Sequence, residues 1–288
     1  MALMTPHVPP SPGPNDWAAD LDRLRCVACD GGLARVPSGA DLACARCGRA
    51  YPVRDGVLVV KDEPEADNRI ARDFYNGPLW PKFRFWERFF WACNGGERRS
   101  RDVILRHLPD AEDLALLDVA IGDGVYLPWL PASWSVAGID ISSVQLAACR
   151  TREGATGRPL KLVLGEAEAL PFRDRTFDAV LSIGGINHFN DPEGALREMV
   201  RVARPGATIV VSDELPDLTD RMPFRKLGLP GLDRWIVARL MNLGDEFTDL
   251  VERHRDLDIA AIGRRALADR HYEVIWRGGG YLMTGKAP

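Results

Sequence analysis

The sequence predicts an α/β fold, a largely parallel sheet flanked by helices, preceded by a small module built on cysteines. Three observations carry this expectation. From Leu114 onward, short apolar runs alternate with helical stretches, the pattern of βαβ units. Cys26, Cys29, Cys44 and Cys47 form two C-x2-C pairs near the N-terminus. A chain of 288 residues has room for one large domain and one small accessory module, at roughly 150 residues per domain. Hydrophobic residues at 46% and charged residues at 27% match a globular chain, against a wholly disordered, collagen-like or membrane-spanning one. No run of about 20 apolar residues exists to cross a bilayer as a helix. The formal net charge of −4 disfavours a dedicated nucleic-acid binder and leaves RNA open.

In chain order, residues 1–16 hold five prolines by Pro14 and predict a tail that cannot bury enough surface to fold. The start lacks the layout of a secretory signal, so a reducing cytoplasm is expected for the six cysteines. Residues 17–62 are expected to be a zinc ribbon. Fourteen residues separate the two C-x2-C pairs, and each pair can turn two thiolates toward one point, which suits the closed four-sulfur shell of a structural Zn²⁺. Two disulfides or a redox C-x-x-C are the alternatives; the redox case needs a βαβ context that this short Gly-rich segment lacks. A module of this size needs the metal for stability. Asp55-Gly56 then marks a turn and Val57 to Val60 a strand. With "LRCVACDGGL", these features resemble the zinc-ribbon family of tRNA-methyltransferase activators, which partners or is fused to methyltransferases.

Residues 63–110 read as a helical lid or linker. Phe83, Trp86 and Phe90 share one helical face that Phe85 and Phe89 widen, suited to core packing or to covering an apolar substrate. Seven basic and three acidic residues lie between Lys82 and Arg106, which fits a solvated face or an RNA surface.

Residues 111–288 carry the large domain. "LALLDVAIGDGVYLPWL" predicts a strand over Leu114 to Ala120, a glycine turn at Gly122 and Gly124, and a helix start. The second strand ends in Asp140, 22 residues after Asp118, where an acidic side chain can accept both hydroxyls of a ribose. The third strand leads to Glu166 and Ala167, the fourth is "TFDAVLSIGGINHF", and "DPEGALREMVRVARPGATIVVSDEL" gives a helix, a break and a fifth strand. A helix and a two-stranded hairpin joined at 278–280 close the chain. A dinucleotide-binding dehydrogenase is disfavoured because position 127 is Leu127, not the third glycine of G-x-G-x-x-G.

This ordered set resembles the class I S-adenosylmethionine-dependent methyltransferases, closest to the quinone and natural-product group with its "LPF…FD" and "RVLRPGG" stretches. The resemblance implies a seven-stranded Rossmann-like sheet, S-adenosylmethionine as cofactor, and a helical substrate cap at about 216–258. It also implies site roles. Asp118, Ala120, Gly122 and Gly124 shape the loop under the methionine part; Asp140 and Ile141 hold the ribose; Glu166 and Ala167 face the adenine; Ser182 and Ile183 close the floor. Ala120 stands where the family has its first glycine, and Asp123 either meets the cofactor's amino group or caps a helix.

Methyl transfer asks the protein chiefly to align the acceptor and exclude water, with a base where an acceptor proton must leave. His188 is the first candidate base, followed by Asp213 with Glu214, Tyr126 and His254. His107 and His271 read as surface or packing residues, and Cys93 and Cys149 as small apolar fillers. The expected function is methyl transfer to a small, largely apolar metabolite. An rRNA or tRNA base methyltransferase and a non-catalytic binding module are the other readings.

Overall fold

The computed structural model describes residues 17–37, 39–216, 228–229 and 243–288. The expected N-terminal tail, and the expected cap over 217–227 and 230–242, lie outside the described residues.

After a 3-10 turn at Trp17–Arg23, the cysteine segment folds as a three-stranded antiparallel sheet of β1 (Leu33–Arg35), β2 (Leu42–Cys44) and β3 (Ala50–Tyr51). The chain then turns at Asp55-Gly56, both at positive φ, between β4 (Val53–Arg54) and β5 (Val57–Val59). This hairpin leaves the cysteine sheet and joins the large one: β5 runs parallel to β8 (Leu160–Leu164), with Leu58 opposite Val163. Apolar Val57 to Val60 thereby cover an edge that would otherwise be open.

The large sheet therefore has nine strands, against the seven expected. Its order is β11 (Ala268–Ile275), β12 (Gly280–Lys286), β10 (Ala203–Glu214), β9 (Phe177–Ile183), β6 (Ala115–Val119), β7 (Ser135–Asp140), β8, β5, β4. Strands β10, β9, β6, β7 and β8 pair in parallel, and β12 enters antiparallel between β10 and β11.

The expected linker folds as α1 (Ala66–Asn76), α2 (Trp80–Cys93) and α3 (Glu97–Leu105). Two crossover helices follow their sequence signals. In α4 (Ser143–Thr156) the Ser142 hydroxyl accepts from the Gln145 N–H at 3.0 Å, and Gly157 ends the helix at φ +66. In α5 (Pro192–Val202) Asp191 accepts from the Gly194 N–H at 2.9 Å. Helices α6 (Asp245–Arg253) and α7 (Ile259–Ala266) precede the final hairpin.

The helix expected after the Gly122-Gly124 turn does not form. Only a 3-10 turn, Leu127–Trp129, connects β6 toward β7, because Pro128 and Pro131 remove two backbone donors within four residues.

Buried Leu24, Tyr51, Leu117, Val180 and Leu196 belong to one core, so the cysteine module packs onto a face of the sheet. Arg25 fastens it there, donating to Glu198 at 3.0 Å and, through its backbone N–H, to the Pro171 carbonyl at 2.8 Å. The opposite face is covered around Leu116, Leu162, Leu181 and Trp134.

Candidate active site

The carboxyl ends of β6, β7, β9 and β10 open into one cavity of about 1260 Å³, roofed by α1, α2 and α6. The volume exceeds the roughly 300–1,000 Å³ that holds one drug-sized ligand. At the carboxyl end of the sheet Ala120, Gly122, Asp140, Ile141, Ala167 and Ile183 line it. The turn after β6 passes through the left-handed region at Ala120 (φ +62) and Gly122 (φ +56). The Asp140 carboxylate accepts the Gly122 N–H at 2.9 Å and the Ser142 N–H at 2.8 Å, which fixes its direction at the cavity wall. Burial pushes its pKa up to about 6, against those amide bonds.

The other residues expected at this end serve the frame. Asp118 is fully buried and accepts the Tyr126 hydroxyl at 2.7 Å; desolvation pushes it up to about 8. A Cβ on Gly124 would lie 2.5 Å from Leu127 Cδ1 and 2.8 Å from Cys149 Sγ, so this glycine is required by packing under the loop. Ser182 is fully buried beneath the floor, outside the cavity lining. Glu166 turns away from the cavity to accept Lys61 Nζ at 2.9 Å. Asp123 caps no α-helix; its carboxylate pairs with Arg152 at 2.8 Å and Arg84 at 3.7 Å.

The candidate bases separate by their partners. Tyr126 spends its hydroxyl on Asp118. His254 places Nδ1 2.6 Å from the Asn187 carbonyl and Nε2 3.1 Å from Asp67, so both ring nitrogens are engaged and the ring is a brace. Asp213 accepts the Asn187 N–H at 3.1 Å and the Glu214 N–H at 2.8 Å, and burial pushes it up to about 7. His188 lines the cavity with its ring 5.0 Å from Phe247 and its Nδ1 without a partner among the described residues. Desolvation, then the His254 ring, pushes it down to about 4, so it is neutral at neutral pH. Glu214 also lines the cavity, its side chain in no hydrogen bond or ion pair among the described residues. Desolvation, then the Asp213 and Glu87 charges, pushes it up to about 8.

The helical roof is aromatic. Phe74 stacks on Phe247 at 4.0 Å, and Trp80, Phe83, Trp86 and Phe90 continue the wall. Phe85 and Phe89, expected to widen this face, point outward at 66% and 62% exposure. Arg84 and Arg101 lie inside, paired with Glu87 and Glu97, so two of the seven basic residues of this stretch are no part of its surface. Cys149 is the buried filler expected, whereas Cys93 is exposed at the cavity rim. His107 and His271 sit away from the cavity, 3.8 and 3.9 Å from Glu273.

Residues 117–211 match the methyltransferase domain family. A demethylmenaquinone methyltransferase of Beutenbergia cavernae is 33% identical over 197 residues, 66% of this chain and 78% of the relative. The chain belongs to the S-adenosylmethionine-dependent methyltransferases. A demethylmenaquinone methyltransferase of Renibacterium salmoninarum shares 33% identity over 120 residues, 41% of this chain and 49% of its own. The Mycobacterium tuberculosis phthiotriol/phenolphthiotriol dimycocerosates methyltransferase shares 30% over 163 residues, 52% and 58%. This methyltransferase thus spans about half the length of those last two relatives. The fold is shared with phosphoethanolamine N-methyltransferase 2 of Haemonchus contortus at a TM-score of 0.51 and 14% identity, over 75% of this chain and 60% of that one.

In this methyltransferase one organising residue had no sequence signal of its own. Asn187 binds Asp213 through its N–H, the Glu214 carbonyl through Nδ2 at 2.6 Å, the Tyr281 hydroxyl through Oδ1 at 3.1 Å, and His254 through its carbonyl. It joins β9, β10, β12 and α6 at the floor, and only its place beside His188 marked the neighbourhood.

Away from the cavity, the thiol sulfurs of Cys26, Cys29, Cys44 and Cys47 all lie within 4.8 Å of one another. The pairs Cys26–Cys47 and Cys29–Cys44 are 3.6 and 3.5 Å apart, close to the separation of about 3.8 Å that Zn–S bonds of about 2.3 Å impose on a tetrahedron. The Ala28 and Arg46 N–H groups and the Tyr51 hydroxyl donate to Cys26 and Cys44 sulfurs, as partners to thiolates do.

Proposed function

We propose that this methyltransferase acts on a small, largely apolar acceptor. The observation that carries the reading is one continuous cavity lined both by a turn and carboxylate suited to the cofactor and by an aromatic helical roof, with a volume above that of one drug-sized ligand. Asp140 and Ile141 would hold the ribose, with Ala120, Gly122, Ala167 and Ile183 around the rest of the cofactor. When bound, S-adenosylmethionine supplies a methyl group already activated on its sulfonium. The chain contributes alignment and dryness: the Phe74–Phe247 stack and the α2 wall keep water from the acceptor.

Of the proton-handling candidates, His188 and Glu214 keep a polar atom at the cavity that no described residue engages. Glu214, with a pKa near neutrality, suits exchange of an acceptor proton at neutral pH better than His188, which is a weak base there. Asp213 sets the carboxyl end of β10 in place through Asn187. The names of the relatives, which carry demethylmenaquinone and phthiotriol, support an apolar acceptor.

The test is to incubate the protein and methyl-labelled S-adenosylmethionine with extract of the native host and follow the label with and without ribonuclease. Label in an organic-extractable, ribonuclease-insensitive fraction is expected. Label in ribonuclease-sensitive material would make the chain an RNA methyltransferase.

We further propose a structural Zn²⁺ on the four cysteines, which present a closed sulfur shell with no position for water. Elemental analysis is expected to give one zinc per chain, and Cys26→Ser to lower Tm. Substoichiometric zinc with an unchanged Tm contradicts the site.

A further inference from the structure

Helix α2 is apolar on both sides. Its inner stripe walls the cavity through Phe83, Trp86 and Phe90. Its outer stripe bares Phe85 and Phe89, one helical turn apart, at 66% and 62% exposure, the two most exposed large apolar side chains among the described residues. Burying neither ring against the protein leaves a cost that a partner can remove.

The charge around those rings narrows the partner. Lys82 and Arg88 are exposed on the same outer stripe, and Arg98 and Arg99 are exposed at the start of α3. Among the described residues none of the four has an ion pair, although most of the described arginines do. The outer stripe carries no Asp or Glu; the helix's single acidic residue, Glu87, faces inward to Arg84 and Arg101. A locally cationic stripe with bare aromatic rings, on a chain of net charge −4, is the composition of a helix lying in a lipid headgroup region.

Other occupants fit less well. A stripe along a helix about 21 Å long and about 10 Å wide offers roughly 200 Å², far below the roughly 800 Å² per partner of a stable dimer. Two rings on one helix offer a shorter platform than the run of stacked bases and tracked backbone that a nucleic-acid strand uses.

We propose that the outer stripe of α2 docks this methyltransferase on an anionic lipid surface. Phe85 and Phe89 enter the headgroup region while Lys82 and Arg88 meet lipid phosphates. Docking would set the wall of the acceptor cavity against the bilayer, where apolar acceptors partition. That consequence rests on the apolar-acceptor reading; the docking does not.

Flotation with vesicles of equal parts phosphatidylglycerol and phosphatidylcholine tests it, using the full chain. Wild type is expected to float at low salt and to bind phosphatidylcholine alone far less. Phe85→Ala/Phe89→Ala should weaken binding by about tenfold or more, and Lys82→Gln/Arg88→Gln should remove most of the salt dependence. Both variants should keep wild-type circular dichroism and S-adenosylmethionine binding, which separates loss of docking from loss of the active site. Absence of wild-type flotation, or flotation unchanged in Phe85→Ala/Phe89→Ala, overturns the proposal. So does a dimer seen by analytical ultracentrifugation that the same double substitution dissolves, or RNA binding that it abolishes in place of lipid binding.

Discussion

Ala120 sits at φ +62, a backbone conformation that costs an L-residue about 1–2 kcal/mol and glycine nothing. Part of any gain from Ala120→Gly is returned through the freer unfolded chain, so a net stabilisation of about 0.5–1 kcal/mol is expected by urea denaturation. The Ala120 methyl also fills the space beside Gly185, where an added Cβ would come within 2.5 Å of it. Gly185→Ala should therefore cost about 1–3 kcal/mol alone and much less in the Ala120→Gly background. Equal costs in both backgrounds would show that the two positions do not share that space. Asp118, pushed up to about 8, is protonated at pH 7, so Asp118→Asn should change stability there by under about 1 kcal/mol. Tyr126→Phe, which removes the donor to Asp118 Oδ2, should cost about 1–3 kcal/mol.

At the scale of elements, what was legible follows from local rules. Helices α4 and α5 start at Ser142 and Asp191, α4 ends at Gly157, and Asp140 ends β7 where the alternation of strands and helices puts it; the Arg-Pro-Gly run after α5 falls within the start of β10, where the register on β9 shifts. Two departures have a tertiary cause and one a local cause. The run Val57 to Val60 reads as a strand, but nothing local says that it pairs with Val163 and Leu164, more than a hundred residues away, in place of the cysteine module. The same pairing brings Lys61 to Glu166, which explains why that carboxylate leaves the cavity. The helix expected after Gly124 fails to the prolines at 128 and 131, a signal present in the sequence and outweighed there by the glycine pattern. Gly124 itself lies at φ +63 over Leu127 and Cys149, so Gly124→Ala should lower stability by about 2 kcal/mol or more, read as a fall in Tm. An unchanged Tm would mean that the loop has room the packing denies.

For the whole molecule, the cavity's acids set the pH dependence. Asp213 and Asp118, both buried, keep their protons up to about 7 and 8 in the fold, whereas free carboxyls lose them near 4. Between those limits the folded state holds more protons, so their contribution to stability falls as pH rises and is gone above about pH 9. His188 acts in the opposite sense: its folded value of about 4 lies below the free value near 6.5, so its contribution is lost as pH falls from about 6.5 to 4. The buried acids outnumber the one histidine, so Tm at constant ionic strength should already fall from about pH 6 and continue to decline toward pH 9. A Tm that rises steadily from pH 7 to 9 would contradict the buried acids.

A cofactor pocket organised on Asp140 is open to titration calorimetry with S-adenosylmethionine. At pH 7 one-to-one binding is expected, weakening about tenfold by pH 5 as Asp140 is protonated about one unit below its value of about 6. Asp140→Ala, with its folding checked by circular dichroism, should lose that binding. No binding by the wild type, or an Asp140→Ala variant that binds as tightly with the same pH profile, would contradict it.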